Sequence, residues 1–196
     1  MEQQIILSPD LAHRLAAIDI GSNSIRLIIA EALREGNYRI LDEERENVRL
    51  GRSLSATGRL DPVAVENALA ALRRMKQIAT GFQVREIRCI ATCAVREAED
   101  GADFCRRAQE IGVEVDVISS EQEARLAFYS VQRAFDLDGK NVAVADIGGG
   151  STEIILSSGN LIEGIYSTSL GAVRMSETCE DSQQTFSVEE FQRLVR

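Results

Sequence analysis

Apolar and polar positions along the chain change period several times, and each change marks an element. Leu15-Ala-Ala-Ile-Asp-Ile20 is a nearly continuous apolar run, the pattern of a buried strand. Ile25 to Glu31 and Tyr38 to Glu46 read as two further strands, with Glu35-Gly36-Asn37 as the hairpin turn between them. From Asp61 the period lengthens. Val65, Ala68, Leu69, Leu72, Met75 and Ala79 fall on one helical face, behind Asp61 as N-cap and Pro62 at the first position. That stripe reads as core. Val84 to Ala91 is a strand, Phe104 to Ile111 a helix ending at Gly112, Val113 to Ile118 a strand, and Glu121 to Phe135 a third helix. The polar turn Asp136-Leu-Asp-Gly139 is the candidate domain junction, dividing the chain into 1–135 and 136–196. A second meander follows, with strands at Val142–Ile147, Thr152–Ser157 and Leu161–Ser167 and turns at Gly148–Ser151 and Gly159-Asn160. Ser187 to Arg196 reads as the start of another helix.

The two meanders match. Asp19-Ile-Gly-Ser-Asn-Ser24 and Asp146-Ile-Gly-Gly-Gly-Ser-Thr152 each close a buried strand with an aspartate and continue into a turn of small residues and a second strand. This is a duplicated half-domain rather than a short-period repeat array. Glycine lets a backbone approach a phosphate closely, and successive amide N–H groups form an anion-binding nest to which Ser and Thr hydroxyls add donors. Gly21, Ser22, Asn23 and Ser24, together with Gly148, Gly149, Gly150, Ser151 and Thr152, are therefore candidate phosphate ligands. One such turn alone is equally well a tight hairpin. Two in the same context point to donors from both sides of one polyphosphate. Neither is a Walker sequence, because no G-K-[ST] occurs. Asp19 and Asp146 end their strands where a carboxylate could hold a cation, directly or through water.

Composition narrows the picture. The chain has 196 residues, 44% of them apolar and 5% aromatic, with no Trp, so the core must be aliphatic. The net charge of −9 argues against nonspecific DNA binding. Residues 136–196 carry −6 of it. Basic residues including Arg49, Arg52, Arg73, Arg74, Lys76, Arg85, Arg88 and Arg96 cluster in the first part, where they give a local field for a polyanion or simply a solvated face. Met1 to Asp10 lacks the basic-then-apolar pattern of a signal peptide, and no apolar run approaches a membrane span. A soluble cytoplasmic protein is the expectation. Four cysteines without a C-x-x-C pair and a single His make zinc improbable. Cys89 reads as a core residue and Cys93 as a loop residue near candidate site groups.

Four segments together resemble a known family. Asp19-Ile-Gly-Ser-Asn-Ser24, Ala91-Thr-Cys-Ala-Val-Arg96, Glu123-Ala-Arg-Leu126 and Asp146-Ile-Gly-Gly-Gly-Ser-Thr-Glu153 look like the Ppx/GppA exopolyphosphatase and guanosine pentaphosphate phosphohydrolase family, in the family's order. The resemblance implies an α/β protein of actin-like, ribonuclease-H-like ATPase-type fold, with mixed sheets, flanking helices and duplicated half-domains. It implies Mg²⁺-dependent hydrolysis of the terminal phosphate of polyphosphate or guanosine pentaphosphate, and a homodimer. Family members continue beyond this length, so the chain resembles their N-terminal part. Before the third helix the family usually has Ser-Gly-x-Glu-Glu-Ala. Here the segment is Ser119-Ser-Glu-Gln-Glu-Ala124, so one glutamate maps to Gln122 and the glycine to Ser120.

Several site residues have a structural and a chemical reading. Ser120-Glu-Gln-Glu123 fits an S-x-x-E capping box, and spacing alone favours that use of Glu123. The resemblance instead makes Glu123 the general base. Arg96 is a phosphate clamp or a helix-end residue, and Glu153 a Mg²⁺ ligand through water or an exposed strand residue. Arg26 follows the first loop but could alternate toward solvent, and His13 carries no role. Two other functions share the loops: a nucleotide-binding ATPase or kinase of the same fold, and a non-catalytic sensor of polyphosphate or guanosine polyphosphates.

Overall fold

The computed structural model describes residues 13–33 and 37–180. The expected turn at Glu35-Gly36 and the helix start at Ser187 lie outside the described residues. β1 (Arg14–Ile20), β2 (Ser24–Ala32) and β3 (Tyr38–Asn47) form an antiparallel meander. β4 (Glu86–Ala91) then lies parallel to β1 on its other side, and the two-residue β5 (Asp116–Val117) adds to β4, giving the order β3-β2-β1-β4-β5. The strand expected over Val113–Ile118 is thus much shorter. Val113 and Ile118 are buried but outside the strand, although the Ile118 amide still donates to the Ala91 carbonyl of β4 at 3.0 Å.

Between β3 and β4 come the short α1 (Leu54–Thr57) and the long α2 (Pro62–Gly81). Asp61 caps α2 by accepting from the Ala64 amide at 2.8 Å, with Pro62 at the position that has no need of a donor. The expected stripe is buried: Ala68, Leu69, Leu72, Met75 and Ala79 are at most 1% exposed. They pack with Ile18, Ile20, Ile25, Leu27 and Ile29 in the main core. Arg26, between two buried positions of β2, points to solvent and pairs with Glu43 at 2.6 Å.

After β4 the chain forms α3 (Cys93–Glu97) and α4 (Gly101–Glu110). Cys93 therefore begins a helix and is not a loop residue. The five-residue α3 has too few turns for an apolar period to reveal it. Gly112 follows α4 at φ 75°, the left-handed conformation that glycine adopts without a Cβ penalty.

α5 (Ser120–Ala134) has a capping box displaced by one residue from the expected one. Ser119 is the N-cap. Its hydroxyl accepts from the Gln122 amide at 3.2 Å, and its own amide donates to Gln122 Oε1 at 2.8 Å. Gln serves this geometry as well as Glu. Glu123 is consequently free of the cap. Ala124 and Phe128 of α5 pack with Leu137 and Ile155 in a second core, against β6 (Asn141–Ile147), β7 (Thr152–Ser158) and β8 (Leu161–Thr168). By packing, α5 sides with this three-stranded sheet, although turn composition alone places the junction after it. α6 (Ala172–Glu180) follows. No helix among the described residues is long and apolar enough to cross a membrane.

Candidate phosphate-binding cleft

The two loops are built alike. Ile20 pairs with Ile25 and Ile147 with Thr152, leaving four-residue turns of the same length. Gly21 N–H donates to Ser24 O at 3.0 Å, and Gly148 N–H donates to Ser151 O at 2.9 Å. A Cβ on either glycine would lie 3.3 Å or 3.1 Å from that acceptor, which explains glycine at the first turn position. The duplication visible in sequence is therefore a duplication of hydrogen bonding.

The loops also touch each other. A Cβ on Gly150 would come within 2.5 Å of Cys93 Sγ and 2.7 Å of Ser22 Oγ, and one on Gly149 within 3.2 Å of Ser22 Cβ. The second and third glycines of the second loop thus seat it against the first. Glycine serves loop-to-loop contact here as well as any approach of a phosphate.

A cleft of about 720 Å³ opens where the loops meet. Asp19, Gly21, Ser22, Asn23, Ser24, Glu123, Asp146, Gly148, Gly149, Gly150 and Ser151 line it, residues brought from two sheets and the start of α5. Three predicted site residues are not on its wall. Thr152 donates its hydroxyl to the Leu170 carbonyl. Glu153 is 1% exposed and accepts from the Ser167 hydroxyl at 3.0 Å. Arg96 lies behind Glu123: its guanidinium donates to Glu123 Oε2 at 3.1 Å and to the Ile118 carbonyl at 2.8 Å.

These neighbours set the electrostatics. Burial is the main reason that the Glu123 carboxyl is held above the ordinary glutamate range. The Arg96 hydrogen bond opposes this, while the negative charges of Glu153 and Asp146 add to it. Asp19 is likewise raised, first by the protein around it and then by the Asp146 carboxylate, with Arg26 opposing, even though its side chain keeps contact with solvent in the cleft. The Cys93 thiol is buried and donates to Glu97 at 3.4 Å. Burial and Glu97 raise its pKa, which is unfavourable for a nucleophilic thiolate.

Mg²⁺ takes oxygen ligands and commonly only one or two carboxylates, the remainder being water and phosphate. Asp19 and Asp146 fit such a role. They reach the cleft from matching positions of the repeat, and their mutual repulsion is what a divalent cation would relieve. Glu153 fits less well as a direct ligand, since it is enclosed and bonded to Ser167. Among the described residues no three His, Cys, Asp or Glu side chains converge to hold a metal unaided.

Periodicity did not reveal several other cleft residues. Arg45, Arg49 and Arg52 flank the first loop, and Thr92 and Cys93 come from the β4–α3 junction. Val173, Ser176 and Glu177 belong to α6.

Sheet order, repeated hairpins and a cleft between two halves define an actin-like protein with paired glycine-rich loops. Residues 17–196 match the sequence model of the Ppx/GppA phosphatase family, and the chain belongs to that family. It is 34% identical over 194 residues to exopolyphosphatase 2 of Mycobacterium tuberculosis, covering 93% of this chain and 60% of that protein. Among solved structures, the Aquifex aeolicus PPX-GPPA enzyme superposes with a TM-score of 0.75 at 36% identity, covering 92% of this chain and 60% of that one. An exopolyphosphatase from Cytophaga hutchinsonii superposes with a TM-score of 0.80 at 29% identity, over 84% of this chain and 53% of that one. The chain thus spans about 60% of the length of the curated relative described.

Proposed function

We propose that this chain provides the catalytic cleft of a phosphoanhydride hydrolase that removes the terminal phosphate of inorganic polyphosphate. Guanosine pentaphosphate, which ends in the same anhydride chemistry, is proposed as a second substrate. The observation that supports this most is the convergence of both loops, Asp19, Asp146 and Glu123 on one cleft. The names of the relatives favour polyphosphate.

In this reading the loop amides and the Ser22, Asn23 and Ser24 side chains hold the terminal phosphates and stabilise charge on the transferring group. Asp19 and Asp146 would hold Mg²⁺, which would supply positive charge against the phosphates, and Glu153 would act on it only through other groups. Glu123 accepts a proton from the attacking water. Burial suits this task, because a carboxylate with a raised pKa is a stronger base than an exposed one. Arg96 is a positioning residue, fixing the Glu123 carboxylate and opposing the rise that burial gives its pKa.

Phosphate release from polyphosphate, guanosine pentaphosphate and ATP, with and without Mg²⁺, tests the proposal on the complete protein. Release from polyphosphate that requires Mg²⁺ is expected. Release from ATP alone would replace it with the nucleotide-hydrolase reading, and tight polyphosphate binding without release would make the protein a sensor.

A further inference from the structure

Most arginines among the described residues face a carboxylate. Arg14 and Arg39 meet Glu31, Arg26 meets Glu43, Arg59 meets Glu99 and Asp100, and Arg107 meets Glu66. This is expected in a chain of net charge −9, where carboxylates outnumber cations. Arg49 and Arg52 are exceptions. Neither guanidinium has a hydrogen-bond or ion-pair partner among the described residues, and both line the cleft. Arg45 beside them likewise meets no carboxylate among the described residues and donates to Ser24 Oγ at 3.2 Å.

The backbone ties this basic wall to the first loop. Arg49 N–H donates to the Asn23 carbonyl at 2.9 Å, and Gly51 N–H donates to the Ser22 carbonyl at 2.8 Å. The segment carrying the arginines is therefore held in register with the loop. Arg49 adopts φ 56°, a conformation unusual for a side-chain-bearing residue. Glu177 also lines this part of the cleft, but its carboxylate is engaged by the Ser53 amide at 2.6 Å and by the Ser55 hydroxyl.

We propose that Arg49 and Arg52, with Arg45 at the junction to the loop, form a subsite for the phosphates that follow the terminal ones in a linear polyanion. The loops supply neutral donors suited to a short terminal segment. The arginines supply full charges where the rest of the chain leaves, and guanidinium groups hold phosphate oxygens with paired N–H donors. The subsite favours long polyphosphate over short. It rests on the hydrolase reading above and adds chain-length selectivity to it.

The test is equilibrium binding of long-chain polyphosphate and of tripolyphosphate by calorimetry. It uses complete protein carrying Glu123→Gln, so that hydrolysis is slow on the time of the titration. Arg49→Gln and Arg52→Gln, singly and together, are compared with Arg73→Gln on the exposed face of α2, which removes the same charge away from the cleft. Each cleft substitution is expected to weaken long-chain binding by about three- to tenfold, in keeping with a partly solvated charged hydrogen bond. Tripolyphosphate affinity and the thermal midpoint should stay unchanged, and Arg73→Gln should alter neither affinity. Long-chain binding insensitive to both cleft substitutions, or equally sensitive to Arg73→Gln, overturns the subsite and leaves the hydrolase reading standing. Failure of the parent protein to bind either polyphosphate overturns both.

Discussion

At the scale of single residues, Glu123 and Asp19 place chemistry and stability in opposition. A carboxyl whose pKa is raised by folding binds its proton more tightly in the folded chain. It supports stability fully below its unfolded pKa, and that support is lost as pH rises through the higher folded value. Both groups therefore weaken the fold at neutral pH. Glu123→Gln should lower kcat for phosphate release by about 10²- to 10⁴-fold, the range of general-base contributions. Its thermal midpoint at pH 7 should equal or exceed that of the parent. A clear loss of stability together with activity would mean that Glu123 acts as a structural partner of Arg96. Asp19→Asn should likewise raise the midpoint at neutral pH, with the difference vanishing below about pH 3.9, the ordinary aspartate value. The activity profile carries the same sign: kcat/KM should fall on the acid side at a higher pH than an unperturbed glutamate would give, because Glu123 must be ionised to accept a proton.

At the scale of elements, the one-residue displacement of the α5 cap matters most. Ser119 and Gln122 satisfy the helix start, so the departure from the family's first glutamate, at Gln122, leaves the helix intact and Glu123 available. Ser119→Ala should cost about 1 kcal/mol of stability, measured by denaturant unfolding. The second loop is equally specific. Gly150→Ala would drive a methyl group into Cys93 and Ser22 and should destabilise by about 1–3 kcal/mol, as overpacking does. Adding Cys93→Ala should recover part of that loss. No recovery in the double variant would mean that the Gly150 backbone, not the contact, sets the cost.

At the scale of the whole molecule, the cleft depends on contacts that join its two sides. α6 reaches from the second half to the first: Arg174 pairs with Glu97 of α3, and Glu177 accepts from the Ser53 amide. Ser53 sits at φ 59°, so the charged acceptor also holds a strained backbone in place. Removing Glu177 with Glu177→Ala should speed hydrogen exchange at the Ser53 amide by about tenfold, consistent with losing a partly exposed hydrogen bond to a charged group. An unchanged rate would show that loop packing alone orders the segment.

The sequence by itself determined the elements whose side chains obey a period. Both meanders, the α2 stripe from Val65 to Ala79, and the end of α4 at Gly112 follow from local rules of burial, capping and backbone freedom. It also determined the repeat, because Asp19 and Asp146 precede turns of one length that close by the same hydrogen bond. Tertiary structure decided everything that depends on distant partners. α3, with five residues, is too short for a period. Arg96 turns to Glu123, 27 positions away, and Glu153 turns inward to Ser167. Whether Ser119 or Ser120 caps α5 depends on where the chain leaves β5, which the S-x-x-E pattern does not record. Gly149 and Gly150 look like phosphate-loop glycines in one dimension. In three they are also the surface on which one loop rests against the other, since only a residue without Cβ leaves room for Ser22 and Cys93.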